Sequence, residues 1–146
     1  MRQRREALYR RKSMALLLNR REREGVVILD LKGRLVAGEE STTLRDKVKE
    51  LATGPVNMIL NLEGVDYIDS TGLGGMVICF TTIRKVGGTI KLLNLSRRNV
   101  ELLVLTKLET VFEVFADEQD AVNSFFPDRE LKKFDILAFV QSQNKS

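Results

Sequence analysis

The chain has 146 residues, 43% of them hydrophobic, and a formal net charge of +4, which suits one globular domain with one core. It contains no histidine, which excludes a Ser-His-Asp triad, a Cys-His pair and zinc sites that use imidazole. Its single cysteine, Cys79, excludes an intramolecular disulfide and zinc sites that use paired thiolates.

The N-terminal segment, residues 1–13, carries six arginines and lysines against Glu6 alone, so the rest of the chain is close to neutral. A basic tail on a near-neutral body does not predict a nucleic-acid-binding face. We expect residues 1–13 to be either a disordered arm or the product of an upstream start site, with the domain itself beginning at Met14.

No apolar stretch is close to the roughly 20 residues of a membrane span, and no signal-peptide pattern is present. The expected location is the cytoplasm, without a membrane partner.

The first predicted elements are a β-hairpin and a helix. Residues 15–24 and the β-prone residues 26–31 flank Glu24-Gly25, and this order favours two paired strands. Residues 39–52 predict a helix that Gly54-Pro55 ends, because apolar side chains recur there on one face. That face carries Leu44, Val48 and Leu51.

A strand, a loop and a second helix follow. Residues 56–62 form a short apolar run that is typical of a strand covered on both faces. Residues 64–69 predict a loop. A helix then runs from Thr71 or Gly72 to Lys85, where Gly87-Gly88 ends it. Its apolar stripe consists of Met76, Val77, Phe80 and Ile83.

The next elements are a strand at residues 89–93, a helix with Ser96 as its N-cap, an edge strand at residues 111–115 and a helix capped by Asp117. Helices and strands thus alternate from residue 26 to residue 126. This alternation predicts an α/β domain whose parallel strands are joined by right-handed crossover helices.

Residues 127–146 lie beyond this alternation. Their apolar residues predict a short amphipathic helix that docks on the core, and residues 141–146 predict a disordered end. The apolar residues are Leu131, Phe134, Leu137, Ala138 and Val140.

The most distinctive segment is Asp69-Ser70-Thr71-Gly72-Leu73-Gly74, between a predicted strand and a predicted helix. A phosphate-binding loop would lie at such a place, but a Walker loop requires a lysine that is missing here. The dinucleotide pattern Gly-x-Gly-x-x-Gly fails because Val77 stands at its last glycine. The spacing makes Ser70 the expected helix N-cap, with Thr71 as the other candidate, while Asp69 shapes the turn.

Two neighbouring groups have structural interpretations. The carboxylates Glu63, Asp66 and Asp69 are predicted to be solvated rather than to hold magnesium, so no metal site is expected. Cys79 and Phe80 are predicted to pack in the core, with Cys79 acting as a small hydrophobic residue and not as a nucleophile.

Residues 61–75, Asn-Leu-Glu-Gly-Val-Asp-Tyr-Ile-Asp-Ser-Thr-Gly-Leu-Gly-Gly, resemble the signature of the STAS domain, and more narrowly that of the bacterial anti-sigma factor antagonists. Further similarities occur in order at residues 27–35, 87–95 and 108–112. The resemblance covers residues 14–126. It implies the STAS fold, a central mixed sheet of about five strands with about four helices packed against it.

In that family the serine after the aspartate is phosphorylated, which implies Ser70 as the phosphoacceptor and Thr71 as the alternative. The resemblance implies an anti-sigma factor serine kinase as the partner. The unphosphorylated antagonist binds this kinase and frees the sigma factor, and phosphorylation releases the antagonist. It also implies a phosphatase, no catalytic residues and no cofactor. The implied partner-binding residues are Asp69, Ser70, Thr71, Gly72, Leu73 and Gly74, whose glycines would let a kinase approach the backbone closely.

The expected function is therefore regulatory protein binding and not catalysis. The main alternative is a STAS scaffold or sensor in another signalling pathway without a sigma factor. A second is a nucleotide-binding or hydrolytic enzyme that uses the glycine-rich loop. A third is nucleic-acid binding through residues 1–13, although no nucleic-acid partner is expected.

Overall fold

A five-stranded sheet organises the chain, and the computed structural model describes residues 16–129 and 136–144. The strands are β1 (Leu17–Arg23), β2 (Val26–Leu35), β3 (Asn57–Ile68), β4 (Thr89–Leu93) and β5 (Val114–Phe115). The helices are α1 (Glu39–Leu51), α2 (Ser70–Lys85), α3 (Arg97–Leu105), α4 (Glu118–Asn123) and α5 (Ile136–Asn144), with a short 3₁₀ helix at Leu108–Thr110. The predicted arm, residues 1–13, lies outside the described residues.

The strand order follows the chain, from β1 to β5. The β1–β2 pair is antiparallel and the other three pairs are parallel, so the predicted mixed α/β sheet is confirmed. The hairpin predicted at Glu24-Gly25 is also confirmed. Both residues have positive φ, 52° and 82°, as a tight two-residue turn between twisted strands requires.

The two faces of the sheet are covered unequally. On one face α1, α2 and α3 bury the larger apolar cluster, and Leu44, Met76 and Leu103 are each at most 1% exposed. The other face holds a smaller cluster under α4 and the two phenylalanines that follow it. The predicted core residue Cys79 lies in the larger cluster, and Phe80 packs against it.

Two central strands are longer than the sequence predicts. Residues 64–69, predicted as a loop, continue β3 as far as Ile68, and β2 continues from the predicted end at Leu31 to Leu35. The added residues pair in parallel through two register shifts, and Gly33 has φ 122° beside the second of them. The apolar runs of both strands end at the first of these register shifts, so hydrophobic periodicity alone ends the predicted strands too early.

Two C-terminal predictions also require correction. The last strand spans Val114–Phe115 instead of residues 111–115, because the chain before it turns through the 3₁₀ helix. The predicted C-terminal helix is present as α5, but it continues through residues 141–144, where the sequence predicted disorder. Helix α5 packs against α3, and Ile136 contacts the larger core cluster. Leu131 and Phe134 lie outside the described residues.

An ion-pair network ties β1, β2 and α4 together on the less covered face. Arg21 donates to Asp30 Oδ2 from Nε at 2.7 Å and to Glu118 Oε2 from Nη1 at 3.0 Å. Arg23 Nη1 lies 2.6 Å from Glu118 Oε2, and Asn61 donates to Asp30 Oδ1 at 2.8 Å. The hydrogen bonds from Arg21 hold the pKa of both carboxyls, Asp30 and Glu118, below their ordinary values.

We expect Arg21→Met to destabilise the domain by about 1 kcal/mol at neutral pH, a modest value because the ion pairs are partly solvated. A lowered pKa stabilises the fold above the unfolded-state value near pH 4, and this stabilisation disappears as the pH falls further. The difference from wild type should therefore shrink in urea unfolding measured below about pH 4. Arg20→Met, an exposed neighbour on β1, is the control. A difference that persists at low pH would contradict this electrostatic account.

Candidate functional site

The segment Asp69–Gly74, called the switch segment below, lies where β3 passes directly into α2. Asp69 follows β3 in extended conformation and its carboxylate accepts a hydrogen bond from Gly72 N at 2.7 Å. Asp69 is therefore the N-cap of α2, and the prediction that Ser70 or Thr71 caps the helix is wrong. The helix begins at Ser70, so the serine hydroxyl is one residue too far along the chain for this role.

Asp69 also joins α2 to the end of β2. Its second carboxylate oxygen accepts from Ala37 N at 3.2 Å, and its own backbone N–H donates to Leu35 O at 3.2 Å. Asp69 thus shapes the turn, as the sequence predicts, and fixes the position of the first turn of α2 against the neighbouring strand.

The five residues that follow Asp69 in the segment divide into an outward and an inward group, while Asp69 itself is partly buried. Ser70, Thr71 and Gly74 are exposed, whereas Gly72 and Leu73 are buried. A Cβ on Gly72 would lie 2.0 Å from Leu35 O, so this glycine permits close backbone packing inside the domain. A Cβ on Gly74 would meet nothing within 4 Å, which leaves open backbone beside the Ser70 hydroxyl.

The Ser70 hydroxyl has no hydrogen-bond partner among residues 16–129 and 136–144. Because Asp69 already satisfies the Gly72 amide, the serine does no capping work. The Ser70 side chain is therefore exposed to solvent, and no described group holds its hydroxyl. The electrostatic field of the helix start favours a negative group on it.

A cleft of about 320 Å³ adjoins Ser70, and its second wall belongs to α3. On that wall the Arg98 guanidinium stacks over the Tyr67 ring at 4.1 Å from the ring centroid. Leu105, at 81% exposure, forms an apolar rim with Leu102. Sequence reasoning misses these α3 residues, because no local signal places residues thirty positions away beside Ser70.

Other kinds of site find no support in the described residues. Burial raises the pKa of the Cys79 thiol to about 12, which leaves it protonated and unreactive at neutral pH. No group of three His, Cys, Asp or Glu side chains in the described ranges is arranged to hold a metal ion. No described helix has the length and apolar content that crossing a bilayer requires.

Comparison with known proteins gives consistent results. The STAS domain profile matches residues 18–121. The anti-sigma-B factor antagonist of Bacillus subtilis (strain 168) is 36% identical over 91 residues, which cover 60% of this chain and 84% of that protein.

Two solved structures share the fold. An anti-sigma factor antagonist from Mycobacterium paratuberculosis has a TM-score of 0.65 and 17% identity, and the match covers 75% of this chain and 93% of that one. An anti-sigma-factor antagonist (STAS) domain protein from Planctomyces limnophilus has a TM-score of 0.64 and 19% identity, covering 73% and 96%. These two comparisons concern the arrangement of the strands and helices.

Proposed function

Because the chain belongs to the STAS domain family, and within it to the anti-sigma factor antagonists, we propose that it binds an anti-sigma factor that is also a serine kinase. The unphosphorylated chain occupies this kinase and so frees a sigma factor. Phosphorylation of Ser70 ends the complex, and a phosphatase restores the active form. The protein acts by binding and catalyses no reaction of its own.

One observation carries the proposal: Ser70 is exposed at the start of α2 while Asp69 performs the capping. A capping serine would accept a backbone amide of the first turn with its own oxygen, and phosphorylation would then have to rearrange the cap. Here the Ser70 hydroxyl has no capping role, because Asp69 caps the helix. Gly74 leaves space beside it, and the cleft next to it offers an apolar rim for a partner.

The chain and the kinase contribute different groups to the phosphoryl transfer. The kinase transfers the γ-phosphoryl group of ATP to Ser70 Oγ, ADP leaves, and the hydroxyl proton passes to a base. The chain has no histidine, and the Asp69 carboxylate already accepts from the amides of Gly72 and Ala37. The kinase therefore supplies the base as well as the nucleotide site.

The test is to incubate the protein with ATP and a purified anti-sigma factor serine kinase from the same organism, and then to locate phosphate by peptide mass spectrometry. We expect one phosphate, on the Ser70 peptide, in wild type and in Thr71→Ala, and none in Ser70→Ala. A stable complex without phosphotransfer would support the scaffold alternative instead. Phosphate on Thr71 alone would move the switch by one residue.

A further inference from the structure

A second surface, the α1–α2 groove, lies between two of the helices that cover the larger core cluster. It encloses about 700 Å³ and is open to solvent. Its wall on α1 includes Arg45, Asp46 and Lys49, and its wall on α2 includes Ile78, Thr82 and Lys85.

The charge of this groove is mostly uncompensated. Among the lining side chains that the structure describes, which exclude residues 39–41, three cations, Arg45, Lys49 and Lys85, face the single carboxylate of Asp46, and none of the three forms an ion pair with another such side chain. By contrast, Lys47 on the same helix lies outside the groove and approaches Glu50 at 3.8 Å. The groove therefore presents a positive potential to a partner.

Arg45 contributes a guanidinium to this surface. Its Nη2 donates to Thr42 Oγ1 at 3.3 Å, but its Nε–H is buried and has no hydrogen-bond partner among the described residues. The hydrogen bond from Nη2 to Thr42 is exposed, so a partner's carboxylate can reach this end of the guanidinium. The groove thus offers positive charge together with a guanidinium donor.

An apolar side chain lines the same groove as these cations. Ile78 is a large hydrophobic residue of α2 and is 48% exposed. An isoleucine that shares a groove with cations is complementary to an acidic segment that carries an apolar residue, because the apolar contact excludes water around the ion pairs.

The groove is continuous with the phosphorylation site. Exposed residues of α2 recur every three or four positions and so form one stripe along the helix, at Thr71, Gly74, Ile78, Thr81 and Lys85. Ile78 is eight residues beyond Ser70, a distance of about 12 Å along the axis. A standard interface of about 800 Å² on this chain would cover both.

We propose that the α1–α2 groove is a docking site for the serine kinase that phosphorylates Ser70, and that it binds an acidic segment of that kinase bearing an apolar side chain. This inference rests on the proposed function. In this proposal the groove contributes binding affinity, and the phosphoryl transfer takes place at Ser70 at the start of α2.

The test compares two double variants that change the net charge equally. Lys49→Glu/Lys85→Glu reverses charge inside the groove, and Lys32→Glu/Lys47→Glu reverses it outside. We expect the groove variant to raise the KM of Ser70 phosphorylation and the Kd for the kinase about tenfold, with kcat unchanged. The control variant should change either constant less than twofold. Ile78→Ser should raise KM about threefold, with an unchanged thermal melt.

The possible failures are distinguishable. If the kinase does not phosphorylate wild-type protein on Ser70, both the proposed function and the docking site are overturned. If phosphorylation is normal but both double variants behave alike, only the docking site is overturned. A fall in kcat without a rise in KM also overturns it. Self-association of wild type that the groove variant abolishes would assign the groove to a second copy of the chain.

Discussion

Gly72→Ala should destabilise the domain by about 3 kcal/mol or more and lower the midpoint of thermal unfolding by about 10 °C or more. The added Cβ would lie 2.0 Å from the oxygen and 2.7 Å from the carbon of the Leu35 carbonyl. Both are backbone atoms at the end of β2, so no side-chain rotation relieves the overlap. The first turn of α2 must move instead.

That movement has further costs at the same place. The Asp69 N–H donates to the same Leu35 carbonyl, and the Asp69 carboxylate accepts from Ala37 N. Displacing the turn weakens both hydrogen bonds, so the loss exceeds that of an ordinary overpacked methyl group. Urea and thermal unfolding, followed by circular dichroism, measure it directly.

Gly74→Ala is the matched control, two residues along the same helix. Its Cβ meets nothing within 4 Å, and alanine is the better helix former, so this variant should be as stable as wild type or up to about 1 kcal/mol more stable. Equal destabilisation by the two substitutions would show that a general property of the glycine-rich segment matters, and not the contact with Leu35.

Local signals account for much of the fold. The hairpin at Glu24-Gly25 and the N-caps at Ser96 and Asp117 are predicted from sequence because each depends on residues at most three positions apart. The ends of β2 and β3 are not predictable in this way. Gly33 and Gly64 are typical of loops, and only the pairing between the two strands makes them part of the sheet.

The candidate site likewise combines features that the local sequence predicts with features that depend on contacts between distant segments. Sequence places the switch segment at a strand-to-helix junction, but aspartate and serine are about equally good N-caps, so local preference cannot choose between Asp69 and Ser70. The contact between Asp69 and Ala37 N decides, and it joins segments 32 positions apart. The cleft beside α3 and the α1–α2 groove likewise depend on how separate helices pack, which periodicity does not report.

Phosphorylation of Ser70, or the substitution Ser70→Asp, should leave the domain folded while abolishing most kinase binding. Phosphate adds about −1.5 to −2 charges at neutral pH, beside the first backbone amides of α2. The helix start favours that charge, so the midpoint of unfolding should be unchanged or slightly higher. At the interface the charge would be desolvated beside the Leu105 rim, and we expect binding weaker by about a hundredfold for the phosphoprotein and tenfold for Ser70→Asp.

A surface substitution separates a local effect of this charge from a general one. Asn57→Asp adds one negative charge with almost no change in shape at the other end of β3, about 40 Å from Ser70 along the strand. It should leave both kinase affinity and stability unchanged. If Ser70→Asp instead lost cooperative unfolding or most of its helical circular dichroism, the switch would act through the fold. The separation of roles between Asp69 as cap and Ser70 as acceptor predicts the opposite, since the capping hydrogen bond to Gly72 survives phosphorylation.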